Sequence, residues 1–242
     1  MLYRQKSQSQ ISIMMKLKLC LCLVIINGIS ACGVTARMEP YKQTDSVIAD
    51  GERVVILARK HHATHEAEVE FVDCISNALA NGSEGLDVYS TTDFEDQLYP
   101  WFEPSLAPLS TNDLTVLLER PGVLDTVENT GVRFVVWLDG STDRTASGGG
   151  ISCAAGVGGA ACMGLAWWED DARYDATIWD LQELNSTGTI YADFLGRSVM
   201  PAIVIPIPLI ARPQAQACQG LTEQLRDFLT SPFGYGAGPN LG

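Results

Sequence analysis

The stretch Val54-Val55-Ile56-Leu57 places four aliphatic residues in a row. An unbroken aliphatic run of this kind is typical of a strand that is buried on both faces of a sheet. Apolar residues then recur at helical spacing over residues 65–80, and Leu86-Asp87-Val88-Tyr89 reads as a second strand. Strand, helix and strand in this order predict the beginning of an α/β layer.

Two more helical segments follow this beginning. One covers residues 92–98, and the other covers 114–129 with a break at Pro121-Gly122. Gly131 then offers a left-handed exit to a strand at 132–138, because glycine adopts positive φ without steric cost.

After Asp139 the apolar pattern changes from the helical to the strand period, which predicts a meander of short strands. Pro201 to Pro208 alternates proline with aliphatic residues and predicts an edge or connecting segment, because proline cannot donate to a ladder. A last helix is predicted over 214–229. We therefore predict an α/β (α+β) fold, a single mixed sheet with helices packed on it, in the order β-α-β-α-α-β-β-β-β-α. The meander is predicted to have three or four short strands, at roughly 150–153, 163–168, 175–181 and 189–194.

The amino-terminal segment has the layout of a signal peptide. Lys16 and Lys18 precede a short apolar run at 19–26, and small residues follow it. That run is too short for a helix that spans a membrane. Residues 1–31 are therefore predicted to be removed, with the true start at Met14 or Met15.

Ile29-Ser30-Ala31-Cys32 resembles the bacterial lipobox. The resemblance implies that Cys32 is lipidated (palmitate), becomes the first residue and serves as a membrane anchor. Gly33 after the cysteine, where inner-membrane lipoproteins typically have Asp, implies sorting to the outer membrane, facing the periplasm. An ordinary signal peptide that leaves Cys32 free is the alternative.

The polar segment 33–50 has no periodicity, so residues 32–50 are predicted to be a lipidated cysteine and a flexible tether. The α/β domain is predicted at 51–230, with a Gly/Pro-rich tail at 231–242. The chain carries a net charge of -13, and removal of the four basic residues in 1–31 gives 12 - 29 = -17. So acidic a body repels phosphate backbones, and nucleic acid is not expected as a partner.

Four cysteines remain after export, and an even set in an oxidising compartment predicts two disulfides. Three pairings are possible. Cys153 and Cys162 flank a Gly/Ala stretch that has too few large hydrophobic side chains to be held by packing. We therefore predict a disulfide between these two cysteines, which leaves Cys74 to pair with Cys218.

A family resemblance rests on two segments. They are the strand that ends in Val135-Val136-Trp137-Leu138-Asp139-Gly140 and the hairpin of 176–191. Their order resembles that of bacterial envelope lipoproteins: the curli-secretion lipoprotein, the lipoprotein activators of penicillin-binding proteins, and the amino-terminal domain of the Tol-system β-propeller protein. The resemblance covers most of 50–230. It implies the same α/β fold and a role in envelope biogenesis.

The histidines lie together at His61, His62 and His65, directly after the first strand. His61 and His65 at i, i+4 could share a helical face and bind a metal with Glu66 or Glu68, although solvated residues at a helix entry are the simpler interpretation. The most distinctive candidates for partner binding are aromatic. They are Trp101, Phe102, Trp167 and Trp168.

These patterns predict a membrane-anchored periplasmic lipoprotein that acts as a non-catalytic binding or assembly factor, without a cofactor and with an envelope protein as partner. One alternative is an envelope hydrolase or metal-dependent enzyme that uses the histidine cluster. Another is a subunit of an oligomeric secretion complex.

Overall fold

A computed structural model of the chain describes residues 33–59, 69–81, 85–103, 106–157 and 159–232. Six strands and five helices lie within these ranges. In chain order they are β1 Gly33–Lys42, β2 Arg53–Ala58, α1 Val69–Ala80, β3 Val88–Tyr89, α2 Thr91–Gln97, α3 Thr111–Leu118, α4 Val123–Thr130, β4 Val132–Gly156, β5 Gly159–Asp180, β6 Asn185–Pro206 and α5 Pro213–Thr230.

The strands form one sheet in the order β1-β6-β5-β4-β2-β3. Strand β2 runs parallel to β3 and to β4, with Ile56 opposite Val136. Strands β4, β5 and β6 follow one another through short connections, so neighbours in this part run antiparallel. The sheet is therefore mixed and carries helices, which confirms the predicted fold class.

The helix boundaries follow local chemistry. Ser110 caps α3 in a reciprocal capping box with Asp113. Gly122 (φ 83°) separates α3 from α4, and Gly131 (φ 69°) ends α4 in the left-handed region. The predicted break and the predicted exit are both confirmed.

The chain divides into two compact units. The helical unit comprises 35–143, 171–195 and 212–232, and the hairpin unit comprises 33–34, 144–170 and 196–211. Strands β4, β5 and β6 contribute residues to both units.

The helical unit buries apolar side chains on both faces of its sheet. On one face Trp137 and Trp179 pack edge to face, and the side chains of α2, α3 and α4 cover them. On the other face the ring of Phe71 in α1 stacks on Tyr174, with 3.6 Å between centroids, and α1 packs beside α5. This arrangement explains why Val54–Leu57 is aliphatic on every residue.

Both predicted disulfides are formed. Cys74–Cys218 joins α1 to α5, and Cys153–Cys162 closes the hairpin of β4 and β5. None of the described helices has the length and apolar character needed to cross a membrane.

Residues 33–42 were expected in a flexible tether, but they form strand β1 at the edge of the sheet. Backbone pairing explains the difference, because it needs no apolar alternation: the Gln43 N–H donates to the Thr187 carbonyl at 2.7 Å. Gly188 lets β1 approach closely, since a Cβ at that position would collide with the Tyr41 carbonyl oxygen.

The meander of short strands is also corrected, since β4, β5 and β6 are each continuous over more than 20 residues. Strand β6 continues to Pro206, and Val199 within it pairs with Leu209, so the segment predicted to be an edge or a connection turns back on itself as a hairpin. Small residues conceal the strand pattern in 144–166, where glycines allow close pairing. A Cβ at Gly149 would collide with the Leu165 carbonyl oxygen, and one at Gly164 with the Gly150 carbonyl oxygen.

Candidate functional site

The predicted lipidation and metal residues, Cys32, His61 and His65, lie outside the described residues, as do His62, Glu66 and Glu68. Within the described ranges, no three His, Cys, Asp or Glu side chains are grouped so that they could hold a metal ion.

Two of the four aromatic candidates belong to the helical unit. Phe102 is fully buried between Phe94 and Trp137, so its assignment to partner binding is corrected: it is a core residue. Trp101 is partly buried on the same core, and the Arg120 guanidinium lies 4.3 Å from its ring centroid. Sequence spacing did not distinguish these roles because the segment 99–103 lies between helices without a periodic pattern.

The other two candidates lie in the hairpin unit. Trp167 and Trp168 are neighbours on β5 and therefore face opposite sides of the strand. The indole of Trp167 covers Gly148, where a Cβ would lie 2.9 Å from the ring. Trp168 lies beneath Arg144, whose guanidinium is 5.3 Å from the ring centroid.

A concave site in the helical unit, which we call the α3–α4 groove, is lined by residues of α3, of α4 and of the turn after β5. It has a volume of about 700 Å³, within the usual range of ligand and peptide sites. Its floor is apolar and buried, whereas Leu124 is exposed on its wall. Its lining residues are Thr115, Leu118, Glu119, Leu124, Val127, Glu128, Gly131, Val132, Leu181, Gln182 and Leu184.

The rim of the α3–α4 groove is acidic. Glu119 and Glu128 are exposed carboxylates, and the described residues that line the groove include no lysine or arginine. The site therefore combines apolar area with negative charge. Sequence reasoning missed it because its walls come from 115–132 and 181–184, although Leu124 was a signal: it lies off the buried face of α4, which Val123 and Val127 occupy.

A buried charge network holds the turn that forms one wall of this groove. Asp180 is fully buried, accepts from the Nε and Nη2 of Arg133 at 3.2 and 3.1 Å, and accepts from the backbone N–H groups of Gln182 and Glu183. Leu184 in this turn has a φ of 52°, a conformation that persists in a leucine only where its surroundings enforce it. The two bonds to Asp180 fix the backbone of the residues directly before Leu184.

Arg133 also donates to Glu52 at 2.8 Å. Burial on its own would lower the pKa of Arg133, but the hydrogen bonds to Glu52 and Asp180 outweigh burial and raise it. The guanidinium is therefore a permanent cation in the network.

A second buried cation lies at the end of β2. The Arg59 guanidinium lies 5.0 Å from the Trp137 ring centroid and 4.9 Å from that of Trp179, and it donates to the Pro108 carbonyl at 3.3 Å. Burial lowers the pKa of Arg59, and Asp139 acts in the opposite direction. Arg59 thus packs against the two tryptophan rings of the core.

The hairpin unit has an unusual surface, with large aliphatic side chains exposed to solvent. Arg197 donates to Glu169 at 2.8 Å, so odd-numbered residues of β5 and β6 share one face of the hairpin unit. Met163 and Ile203 on that face are 76% and 81% exposed. The chain is uncharged over 145–168 and again over 198–211.

No protein-family model matches the sequence, and no curated protein matches it. Among solved structures, the chain aligns with two structures of the PelC dodecamer from Paraburkholderia phytofirmans in different crystal forms, one of them of a point variant. The TM-scores are 0.36 and 0.33 at 11% and 10% identity, and each match covers 82% of this chain and 99% of the PelC chain.

Proposed function

We propose that this chain is a lipid-anchored lipoprotein of the bacterial outer membrane that works as a binding factor for another envelope protein, without catalysis of its own. The observation that carries the proposal is the α3–α4 groove, an apolar site with an acidic rim. A concave apolar site with a few polar groups at its edge is suited to bind a ligand or a partner segment.

The chemistry of the groove specifies the class of partner. Apolar side chains of a bound segment would cover Leu124 and Leu184, which removes exposed apolar surface from water. Glu119 and Glu128 favour lysine or arginine beside those apolar residues and disfavour an acidic segment. The partner that fits is a protein segment with apolar residues flanked by basic ones.

The anchor has its own test. Replacing Cys32 by Ser is expected to abolish incorporation of labelled palmitate, because the lipobox sulfur is the acceptor. Cys22→Ser is the matched control, since Cys22 lies within the signal peptide and its loss should leave labelling intact. Labelling that survives in Cys32→Ser would exclude the anchor.

The groove is tested by placing a charge on its apolar wall. Leu124→Asp is expected to lower the yield of partner captured from detergent-solubilised envelope by about tenfold, because truncating or charging an apolar anchor costs 1 kcal/mol or more. Glu119→Lys combined with Glu128→Lys should reduce capture through repulsion of a basic partner.

Leu109→Asp provides the matched control, because Leu109 is comparably exposed in the helical unit but does not line the groove. Equal losses in Leu124→Asp and Leu109→Asp would show that the groove is not the binding surface.

A further inference from the structure

The strongest feature outside the groove is a loop at the end of β6, residues 199–210, which we call the proline loop. The Val199 N–H and the Leu209 N–H each donate to the other residue's carbonyl, at 3.0 and 2.8 Å, and the Ile207 N–H donates to the Pro201 carbonyl at 3.0 Å. The loop is thus a closed hairpin with its tip near Val204.

The tip of the proline loop is apolar all round. Ile203, Val204 and Ile205 are consecutive, and all are at least 60% exposed. Val204 has a φ of 88°, so the chain turns at the tip, and all three of these consecutive side chains are exposed on that turn. Hydrocarbon surrounds an inserted loop and can cover all three.

The backbone of the proline loop suits an environment without water. An unpaired N–H group is costly in hydrocarbon. Pro201, Pro206 and Pro208 have no N–H, which reduces the number of donors that the loop exposes. No charged residue occurs between Arg197 and Arg212.

The base of the loop has the composition of a membrane–water interface. Arg197 pairs with Glu169, and Arg144 pairs with Asp170 at 2.9 Å. Trp167 and Trp168 lie next to these pairs along β5. Tryptophan and charged side chains at the boundary of an uncharged segment are typical of protein at the headgroup level.

The first described residue, Gly33, lies near the base of the proline loop. The Gln43 N–H donates to the Thr187 carbonyl, and the Thr35 hydroxyl lies 3.5 Å from the Leu195 carbonyl. Residue numbers therefore decrease along β1 where they increase along β6, which means that the two strands run antiparallel. The same antiparallel register places Gly33 opposite Arg197, at the base of the loop. Cys32, the proposed site of lipidation, directly precedes Gly33 in the sequence.

We infer that the proline loop inserts into the hydrocarbon of the membrane beside the lipid anchor, so that lipid and loop together hold the hairpin unit on the bilayer. This inference rests on the anchor of the proposed function. The apolar side chains of the loop would add buried hydrocarbon area to that of the acyl chains, so that the two attachments reinforce one another.

The test introduces an indole into the loop of the full lipidated protein, reconstituted in phosphatidylcholine vesicles with brominated acyl chains. Ile205→Trp is expected to add fluorescence, relative to the parent protein, that the brominated lipid quenches by about twofold or more, since only contact with acyl chains brings bromine to the indole. Leu109→Trp, in the helical unit, is the control and should add fluorescence that the bromine does not quench.

Adding Ile203→Asp and Ile207→Asp to Ile205→Trp should abolish the quenching while the disulfides and the far-ultraviolet circular dichroism stay unchanged. Blue-shifted emission without quenching would mean that a second copy or another protein covers the loop, and it would overturn the inference. Unshifted, unquenched emission would mean that the loop stays in water and would overturn it too. Neither outcome alters capture of a partner at the α3–α4 groove, so the inference and the proposed function fail separately.

Discussion

Replacing Cys74 and Cys218 together by Ala is expected to lower the free energy of unfolding by about 4 to 5 kcal/mol. The bridge joins α1 to α5 across 144 residues of sequence, so its loss releases a very long loop in the unfolded chain. A domain has only about 5 to 15 kcal/mol of stability in total, so the variant is expected to be partly unfolded. Urea denaturation followed by circular dichroism measures the change.

The second disulfide is the matched comparison. Cys153→Ala with Cys162→Ala opens a loop of only 9 residues' separation and should cost about 3 kcal/mol or less. If this variant lost more stability than the Cys74 and Cys218 variant, loop closure would not be the origin of the stabilisation.

Asp180→Ala should lower the free energy of unfolding by about 3 to 5 kcal/mol, because it leaves the Arg133 cation without one of its carboxylates in a buried site. It also removes the acceptor of two backbone N–H groups in the turn with Leu184. Partner capture should fall together with stability, because that turn forms a wall of the α3–α4 groove.

Asp87→Ala is the control for this variant. Asp87 pairs with Arg53 at 3.0 Å, but both side chains are substantially exposed, and such pairs contribute about 1 kcal/mol or less. If Asp180→Ala and Asp87→Ala lowered the free energy of unfolding by similar amounts, the burial of the Arg133–Asp180 pair would not contribute to stability.

Features with a local cause could be predicted from the sequence. The break at Pro121-Gly122 and the exit at Gly131 depend on backbone angles that only a few residues adopt, so the residues themselves indicate them. The Val54–Leu57 run indicates a strand because burial on both faces requires apolar residues throughout. The disulfides followed from cysteine number and from the Gly/Ala stretch between Cys153 and Cys162.

Features that depend on a distant neighbour could not be predicted in this way. Strand β1 is polar and forms through backbone pairing with β6, a partner about 150 residues away in sequence. The extension of β4 through Gly148-Gly149-Gly150 depends on close approach of β5 rather than on side-chain pattern. Phe102 could not be assigned to the core, because its burial depends on Phe94 and Trp137.

The candidate site divides in the same way. The uncharged runs 145–168 and 198–211 are visible in the sequence, whereas the exposure of Ile203 and Ile205 is a property of the fold. The α3–α4 groove requires two segments that only the folded chain brings together.

Site-specific photo-crosslinking in the native envelope tests the central claim, binding of an envelope protein through the α3–α4 groove, most directly. A photoreactive side chain at position 124 is expected to give one discrete adduct whose crosslinked peptide carries apolar residues flanked by Lys or Arg, while the same side chain at position 109 gives none. Identical adducts from both positions, or an acidic crosslinked peptide at position 124, would contradict it.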